Sequence, residues 1–501
     1  MGLKRNIVAN YLSQGYVAAV GILTVPLYVR YLGTEAYGLI GFYTMLQAWF
    51  QLLDAGLSTT LARESARYSG GNAEADTLVR LRRVLERVFV AIGGAGAICF
   101  YLGADAITVR WLNVHALPLE QVARSVELMG IVIAARWISC LYRGVITGFE
   151  KQVWLGSFNI VVATARFIVC LPVILWLGAT PATYFAYQSL IAVLEAIALF
   201  IRAEALLPRR KAPLPDEQNL KAPLAFASSV AFTSVVWVLV TQADKLLLSK
   251  LLPLTEYGTF SLAVLLAGGI NLLAGPIGLA LLPRLTNMAA VGDESGLRRL
   301  YSHYTQITCL ATFPAAITLY ACAAPVLLAW TGNAEVARSA AVVLGLYSVG
   351  NALMNLTAYA YYIQYAKGKL RYHIIGNAVF AMIYVPAVLV AAKWQGAQGA
   401  AVAWLGMNAL YLLAWVPLIH RALIAGAHKS WLGRDIAPIV IGAALPAVIA
   451  PMIASRAFDW ARWQSAGVSL VFFVVSFACA AAGSSVVRER VRLALRQRAI
   501  A

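Results

Sequence analysis

Residues 155–177 read LGSFNIVVATARFIVCLPVILWL and carry one charged side chain, Arg166, near the middle of the run. A helix that crosses a bilayer needs about 20 consecutive, mostly apolar residues. This run therefore predicts a transmembrane helix. The charge inside it needs an explanation of its own, because an arginine at the bilayer centre costs at least ~2.5–3.5 kcal/mol.

Similar runs recur along the whole chain of 501 residues, which is 61% hydrophobic and only 12% charged. Soluble domains carry roughly 25% charged residues, and the mean hydropathy of +0.74 also argues against a soluble protein. The sequence predicts an all-α integral membrane protein with about 14 transmembrane helices. The fourteen apolar segments have the approximate limits 9–31, 37–59, 88–108, 125–147, 155–177, 183–206, 224–248, 257–282, 305–329, 339–365, 372–392, 398–420, 435–455 and 465–487.

The distribution of lysine and arginine predicts the orientation of these helices. With the N-terminus inside, the cytoplasmic loops hold 29 basic residues and the outer loops hold 8. Cytoplasmic loops of membrane proteins carry the excess of Lys and Arg, so both termini are predicted to be cytoplasmic. The net charge of +18 then reflects membrane topology, and we expect no nucleic-acid partner.

Several kinds of chemistry find no support in the sequence. The six cysteines form no CxxC pair, the five histidines lack the spacing of metal ligands, and no GxxxxGK[ST] motif occurs. We therefore expect no metal site, no cofactor and no ATP hydrolysis. The predicted outer loops reach only about 16 residues, which leaves no domain outside the membrane for catalysis, so we do not expect an enzyme.

A weak internal repeat predicts the domain organisation. The segment TEAYG at 34–38 matches TEYG at 255–258, at an offset of 220 residues, and a basic residue precedes each copy. Six predicted spans separate the copies, so both halves run in the same direction, a transporter plan with the substrate site between the halves. The predicted parts are an N-lobe at 1–206, a cytoplasmic linker at 207–223, a C-lobe at 224–420, two further spans within 421–487 and a basic tail at 488–501.

Charged residues inside the spans are the strongest functional signal. Arg136, Arg166 and Glu195 lie near the middle of the fourth, fifth and sixth spans, and Arg143 follows Arg136 by seven residues on the same helix face. One interpretation is a structural Arg–Glu pair that uses Glu195. One carboxylate cannot neutralise two arginines, so we expect surplus positive charge beside a hydrated cavity, where guanidinium groups suit phosphate oxygens. The spacing of seven recurs in the next two spans, in Asn159 and Arg166 and in Gln188, Glu195 and Arg202.

The tenth span carries a second set of candidate substrate ligands. Asn351, Asn355 and Tyr359 follow each other at helical spacing. Amide and phenol groups could contact the hydroxyls and ring faces of sugars. Hydrogen bonding between helices is an equally good explanation of such residues.

Four residues are candidates for ion coupling or for a gate. Asp54 lies near the inner end of the second span, and it or Glu195 could carry a coupling proton. Asp244 and Lys245 are adjacent near the outer end of the seventh span, where they could form either a local ion pair or part of a gate.

Three segments of the chain carry a family resemblance. They are QLLDAGLSTTLARE at 51–64, QADKLLLSK at 242–250 with the Tyr-Gly that follows, and the segment at 275–284, which begins Gly-Pro-Ile and ends Leu-Pro-Arg. These segments resemble the signatures of polysaccharide and O-antigen flippases of the multidrug/oligosaccharidyl-lipid/polysaccharide exporter superfamily. The likeness covers most of the first twelve spans. It implies two six-helix lobes around a central cavity, related by a pseudo-twofold axis along the membrane normal, plus two C-terminal helices.

The resemblance also implies a function and a location. Such a flippase would move undecaprenyl-diphosphate-linked oligosaccharide repeat units from the cytoplasmic to the periplasmic leaflet of a bacterial inner membrane by alternating access, for the synthesis of O-antigen, capsule or exopolysaccharide. Related lipid flippases use cavity arginines for the diphosphate, which agrees in residue type with Arg136 and Arg166. Membrane lipids, a polymerase and other assembly proteins are the expected partners, and H⁺ or Na⁺ is the candidate coupling ion.

Three other functions stay open at this point. A cation-coupled multidrug or organic-cation exporter of the same superfamily would need a cavity dominated by acidic residues. A membrane-embedded polymerase that transfers glycosyl groups would normally need a large outer loop. A scaffold for polysaccharide assembly would transport nothing.

Overall fold

The computed structural model describes residues 2–54, 56–72, 74–208 and 237–500, and all regular elements in these ranges are helical. The chain divides into two compact units, residues 1–258 and 259–501, each with its own dense set of internal contacts. We call them the first and the second unit. Most of the predicted linker, from residue 209 onwards, lies outside the described residues, and the predicted lobe limits stay predictions.

The first unit contains ten helices or parts of helices within the described ranges. A 3₁₀ turn at Gln51–Asp54 precedes α3, and a π-helical segment at Thr164–Val169 joins α6 to α7. The helices are α1 (Gly2–Leu32), α2 (Thr34–Phe50), α3 (Leu57–Ser69), α4 (Ala75–Arg110), α5 (Leu119–Gly148), α6 (Gln152–Ala163), α7 (Cys170–Leu177), α8 (Pro181–Leu206), α9 (237–251) and the first turn of α10 (Leu254–Ala290).

The second unit holds the rest of α10 and ten more helices. Two π-helical segments, at Tyr411–Trp415 and Trp431–Ile436, and a 3₁₀ segment at Leu445–Ile449 separate helices of this unit. The helices are α11 (Glu294–Ala321), α12 (Ala323–Thr331), α13 (Ala334–Ala366), α14 (Arg371–Leu410), α15 (Val416–Leu423), α16 (Ala427–Ser430), α17 (Ala437–Ala444), α18 (Ala450–Arg456), α19 (Arg462–Gly483) and α20 (Ser485–Ile500).

These helices confirm the predicted fold class of a multi-span, all-helical membrane protein. Among the described residues, nine helices are long and apolar enough to cross a membrane, and the pair α11–α12, bent by 84°, is a tenth candidate. One of the nine, at 371–423, covers both the eleventh and the twelfth predicted spans. Gly396, which lies between these two spans, adopts a positive φ of 56° and breaks the helix there. The second predicted span corresponds to α2 and the start of α3, and the sixth corresponds to α8. Part of the seventh predicted span lies outside the described residues.

Helix α5 forms the centre of the first unit and is buried along most of its length against α3, α4 and α8. Phe89 of α4 stacks on Trp137 of α5, with ring centroids 4.1 Å apart. Gly144 and Gly148, one turn apart on α5, lie against the backbone of α3, where a methyl group on either would overlap a carbonyl oxygen. This small-xxx-small spacing lets two helix backbones approach closely, as is common between membrane helices.

The second unit is held together by buried polar groups as well as apolar packing. The Gln306 side chain of α11 donates to Asp435 (2.9 Å) and to Ser485 at the start of α20 (2.8 Å), and it accepts from Ser484 (2.9 Å). Gln306 and Asp435 are both buried. A buried amide that satisfies its own hydrogen bonds in this way fixes the position at which the basic C-terminal helix begins.

The two copies of the sequence repeat contact each other within the first unit. A Cβ atom on Gly38 would overlap the carbonyl oxygen of Leu254, and a Cβ atom on Gly258 would overlap that of Thr34. The four residues are related in pairs by the offset of 220, Thr34 with Leu254 and Gly38 with Gly258. Each copy thus offers the same two positions to the other, which is the reciprocal form of a contact around a twofold axis.

We expect Gly38→Ala and Gly258→Ala to destabilise the protein to a similar extent, by about 1–3 kcal/mol, because a backbone oxygen cannot swing away as a side chain can. The measurement is the melting temperature of the purified protein in detergent. Gly94→Ala in α4 is the matched control, since its added methyl group would meet no atom within 4 Å and would favour the helix. Melting temperatures for both repeat variants equal to that of the control would contradict the close contact.

Candidate functional site

Helix α5 carries two arginines on one face, Arg136 and Arg143, separated by two turns. Arg136 is only 9% exposed. Its Nε and Nη2 atoms are buried and have no hydrogen-bond partner among the described residues. Since a guanidinium group carries five N–H donors, Arg136 retains donors that the surrounding helices do not use.

Arg166 lies in the π-helical segment between α6 and α7, and neighbouring helices hold the backbone of this segment. The carbonyl oxygen of Ala165 accepts from the Tyr187 hydroxyl (2.9 Å), that of Arg166 from the Gln188 amide (2.9 Å), and that of Phe167 from the Tyr28 hydroxyl (2.9 Å). A π-helical turn alters the regular backbone hydrogen bonds, and side chains of α1 and α8 here donate to three consecutive carbonyl groups.

The side chain of Arg166 is partly buried, and its Nε has no hydrogen-bond partner in the described part of the chain. Its charge interacts with those of Arg136 and Glu195. The backbone contacts therefore position a second guanidinium group whose donors are not fully used. Local π-helical turns occur frequently at functional sites.

Glu195 of α8 forms an ion pair with Arg143. The Nη2 atom of Arg143 donates to Oε1 of Glu195 at 2.6 Å, and its Nη1 atom donates to Oδ1 of Asn159 at 2.6 Å. The structural Arg–Glu pair considered from the sequence thus exists, but its partner is Arg143 and not either of the mid-span arginines. The other carboxylate oxygen, Oε2, is buried and has no partner in the described residues.

Arg136, Arg143 and Arg166 all interact electrostatically with Glu195, and Arg136 and Arg166 also interact with each other. We call these four residues the arginine cluster. It contains three positive charges and one negative charge, because arginine stays protonated in proteins. Like charges held together in a low-dielectric region repel each other strongly, and an anion placed among them would reduce this repulsion.

Tyr43 of α2 borders the arginine cluster and is not among the site residues predicted from the sequence. It is 4% exposed and interacts with Arg166. Its hydroxyl group is buried without a partner in the described ranges. Tyr43 was missed because α2 shows neither a charge inside the membrane nor a polar stripe that includes this residue.

The candidates in the tenth predicted span have internal partners within the second unit. Asn351 donates to the carbonyl oxygen of Ala267 (2.9 Å) and accepts from Trp404 (3.1 Å). Asn355 donates to Asn271 (2.8 Å). These bonds join α13 to α10 and α14 and correspond to the structural alternative.

Tyr359 lies in the same buried part of the second unit and is 1% exposed. Its hydroxyl donates to the carbonyl oxygen of Tyr304 (2.6 Å) and contacts the Thr308 hydroxyl (2.6 Å). With its hydroxyl engaged in this way, Tyr359 joins α13 to α11, and its role in substrate binding stays a prediction.

The candidate coupling and gate residues make local contacts. Asp54 accepts hydrogen bonds from the Ser58 backbone (2.9 Å) and the Ser58 hydroxyl (2.6 Å), which is the chemistry of a helix start. Asp54 and Arg136 both interact electrostatically with the Cys140 thiol, so Asp54 lies near the arginine cluster. Even with its charge counted, positive charge exceeds negative charge there.

Asp244 and Lys245 form an ion pair between neighbouring residues of α9, with Nζ and Oδ1 3.2 Å apart. Lys245 Nζ also donates to the carbonyl oxygen of Thr241 at 2.6 Å. Asp244 is fully buried and Lys245 is largely buried. The local ion pair is therefore present, and a role in gating stays a prediction.

Comparison with known proteins places this arrangement in context. The sequence model of a family described as "Polysaccharide biosynthesis protein" matches residues 3–289. A protein of Shigella flexneri named "Putative O-antigen transporter" is 19% identical over 413 residues, which cover 81% of this chain and 94% of that protein.

Solved structures show the same fold at low sequence identity. The lipid II flippase MurJ in an inward closed conformation matches with a TM-score of 0.72 and 11% identity over 94% of this chain and 98% of that chain. An inward-facing multidrug resistance transporter of the MATE family in the MOP superfamily matches with a TM-score of 0.66 and 14% identity over 81% of this chain and 95% of that chain.

A double-mutant cycle tests the ion pair between Arg143 and Glu195. We expect Glu195→Leu to destabilise the protein strongly, because it removes the one carboxylate of the arginine cluster. Arg143→Leu combined with Glu195→Leu should be less destabilising than the sum of the single changes, by about 0.5–3 kcal/mol. Thermal unfolding in detergent provides the values, and strictly additive effects would show that the two side chains do not interact.

Proposed function

The chain belongs to the polysaccharide biosynthesis protein family, whose relatives are membrane transporters and not enzymes, and on this premise we propose which substrate it carries. The proposed substrate is an undecaprenyl-diphosphate-linked oligosaccharide. The proposed direction is from the cytoplasmic to the periplasmic leaflet of a bacterial inner membrane, with both termini in the cytoplasm.

The observation that carries this proposal is the set of unused hydrogen-bond donors in the arginine cluster and on Tyr43 beside it. Arg136 Nε and Nη2, Arg166 Nε and the Tyr43 hydroxyl are all buried without a partner in the described residues. A buried donor without a partner costs about 1–3 kcal/mol, and more for a charged group. Phosphate oxygens could accept hydrogen bonds from these donors, and the planar guanidinium group matches their geometry.

The balance of charge favours a diphosphate over the other substrates considered. A diphosphate linked to a lipid on one side and to a sugar on the other carries two negative charges. Positive charge exceeds negative charge in the arginine cluster, also when the nearby Asp54 is counted, so an anion is attracted there and offsets the excess. An organic cation would be repelled by the same cluster, which argues against a multidrug exporter, although the MATE fold is similar.

The mechanism that we propose follows from where the charges lie. Arg136 and Arg166 hold the diphosphate, while Glu195 limits the repulsion among the arginines and keeps Arg143 in place. The oligosaccharide crosses in a hydrated space, and the lipid tail stays in the bilayer. Alternating access, coupling to H⁺ or Na⁺, and cooperation with a polymerase or assembly proteins remain predictions.

Removing either mid-span arginine tests the proposal. We expect Arg136→Ala and Arg166→Ala each to lower the flipping rate by about 10- to 100-fold, since each loses a charged hydrogen bond to the diphosphate of about 1.5–3 kcal/mol. Arg136→Lys and Arg166→Lys should retain part of the activity. The assay follows a fluorescent lipid-diphosphate oligosaccharide across vesicles that contain the purified protein.

Arg110→Ala is the control, because it removes an exposed arginine at the end of α4 in the same unit. Melting temperatures verify that each variant is folded. Full transport by both well-folded alanine variants would refute the role of the arginine cluster. Export of an organic cation by the wild type, without flipping of the lipid diphosphate, would favour the multidrug alternative instead.

A further inference from the structure

Arg202 lies on α8, seven residues after Glu195 and therefore on the same helix face. It is partly buried, and its Nε atom has no hydrogen-bond partner in the described part of the chain. Within the same ranges no carboxylate lies within ion-pair distance of it. Its guanidinium group stacks instead on the ring of Trp154, with Cζ 5.2 Å from the ring centroid.

The tryptophan beneath Arg202 is itself held in place. Trp154 stacks on Phe158 one turn further along α6, with ring centroids 5.1 Å apart and an angle of 8° between the planes. Phe158 precedes Asn159, which accepts the hydrogen bond from Arg143. Arg202 thus contacts the same helix, α6, that supplies the Asn159 partner of Arg143.

Arg82, a nearby arginine, has a structural role in this region. Arg82 of α4 forms ion pairs with Glu204 of α8 and with Glu86, where the separation is 3.6 Å. Its guanidinium group also lies over the ring of Phe200. Arg82 therefore joins α4 to α8 through Glu204 and also pairs with Glu86 on its own helix. Arg202, two residues before Glu204, has an aromatic ring and, among the described residues, no carboxylate partner.

Stacking on an aromatic ring fixes the plane of a guanidinium group and leaves the N–H groups at its edge free to donate. That is the arrangement needed to bind a phosphate oxygen pair in a fixed orientation. Two turns of helix separate Arg202 from Glu195, which corresponds to about 10.5 Å along the axis. In the predicted orientation, the end of α8 that carries Arg202 faces the cytoplasm.

We infer that Arg202, held by Trp154, forms a second anion subsite on the cytoplasmic side of the arginine cluster. The diphosphate of the lipid-linked sugar binds there first and then moves deeper into the membrane, past the level of Glu195, to Arg136 and Arg166. This inference rests on the proposed function for the identity of the anion. The choice of a phosphate group as the ligand is argued from the contacts of the Arg202 guanidinium group alone. Trp154 is a positioning residue in this scheme.

Flipping rates at varied substrate concentration distinguish the two subsites. We expect Arg202→Ala to raise the apparent KM for a lipid-diphosphate oligosaccharide on the order of 10-fold, with the maximal rate within about twofold of the wild type. Arg136→Ala should instead lower the maximal rate. Trp154→Ala should raise KM less than Arg202→Ala does, and Trp154→Phe, which keeps an aromatic face, should resemble the wild type.

Lys151→Ala is the matched control, because Lys151 is exposed, directly precedes α6 and carries the same charge. We expect its KM to be unchanged. Vesicles of phosphatidylcholine alone exclude anionic headgroups, so a KM effect seen there belongs to the diphosphate. An effect of Arg202→Ala that appears only when phosphatidylglycerol is added would assign the site to a lipid headgroup and overturn the inference.

Two further outcomes would also overturn it. An unchanged KM in Arg202→Ala would make the residue structural, and a loss of maximal rate equal to that of Arg136→Ala would place it in the deeper site. Calorimetric titration of the purified protein with inorganic pyrophosphate gives a readout independent of flipping, and Arg202→Ala should bind it more weakly. If Arg202→Ala binds pyrophosphate more weakly than the wild type, but the wild type flips no lipid diphosphate, the proposed function is refuted and the anion subsite is still supported.

Discussion

The constraint on which this structure depends is the cost of placing guanidinium groups among apolar helices. Arg136, Arg143 and Arg166 interact with one carboxylate, Glu195, within three predicted membrane spans. A soluble protein could hydrate such a surplus, but lipid cannot, so the charges must face water, a partner or a ligand. The burial of α5, the irregular backbone around Arg166 and the ion pair of Arg143 all serve to hold these charges.

The cluster is held by parts that each solve a local problem. Glycine at positions 144 and 148 lets α3 approach α5 at the height where Arg143 lies. The side chains of Tyr28, Tyr187 and Gln188 donate to three carbonyl groups of the π-helical segment, so these groups keep hydrogen-bond partners inside an apolar region. Such a rigid surround keeps the arginines in place despite their mutual repulsion.

Polar residues elsewhere in the chain differ in the same way in their hydrogen-bond partners. Asn351, Asn355 and Tyr359 look like substrate ligands by residue type, yet each donates to a neighbouring helix of the second unit. Arg202 looks like one more basic residue at the end of a span, yet it lies over the ring of Trp154, and its Nε has no hydrogen-bond partner among the residues that the structure describes. Residue type alone does not distinguish these cases, because the decisive fact is whether another group already uses the polar atoms.

The sequence by itself determined the fold class, the position of most spans and the surplus of positive charge within them. Hydropathy and the counts of charged residues are properties of single segments, and the bilayer acts on each segment separately. The repeat was also visible, although the reciprocal contact of Gly38 and Gly258 with the opposite backbone was not. Only the tertiary structure decided that Glu195 pairs with Arg143 and not with Arg136 or Arg166, that Tyr43 borders the cluster, and that Arg166 lies on a π-helical turn. These features depend on the rotation of one helix against the next, which is set by packing between segments distant in the chain.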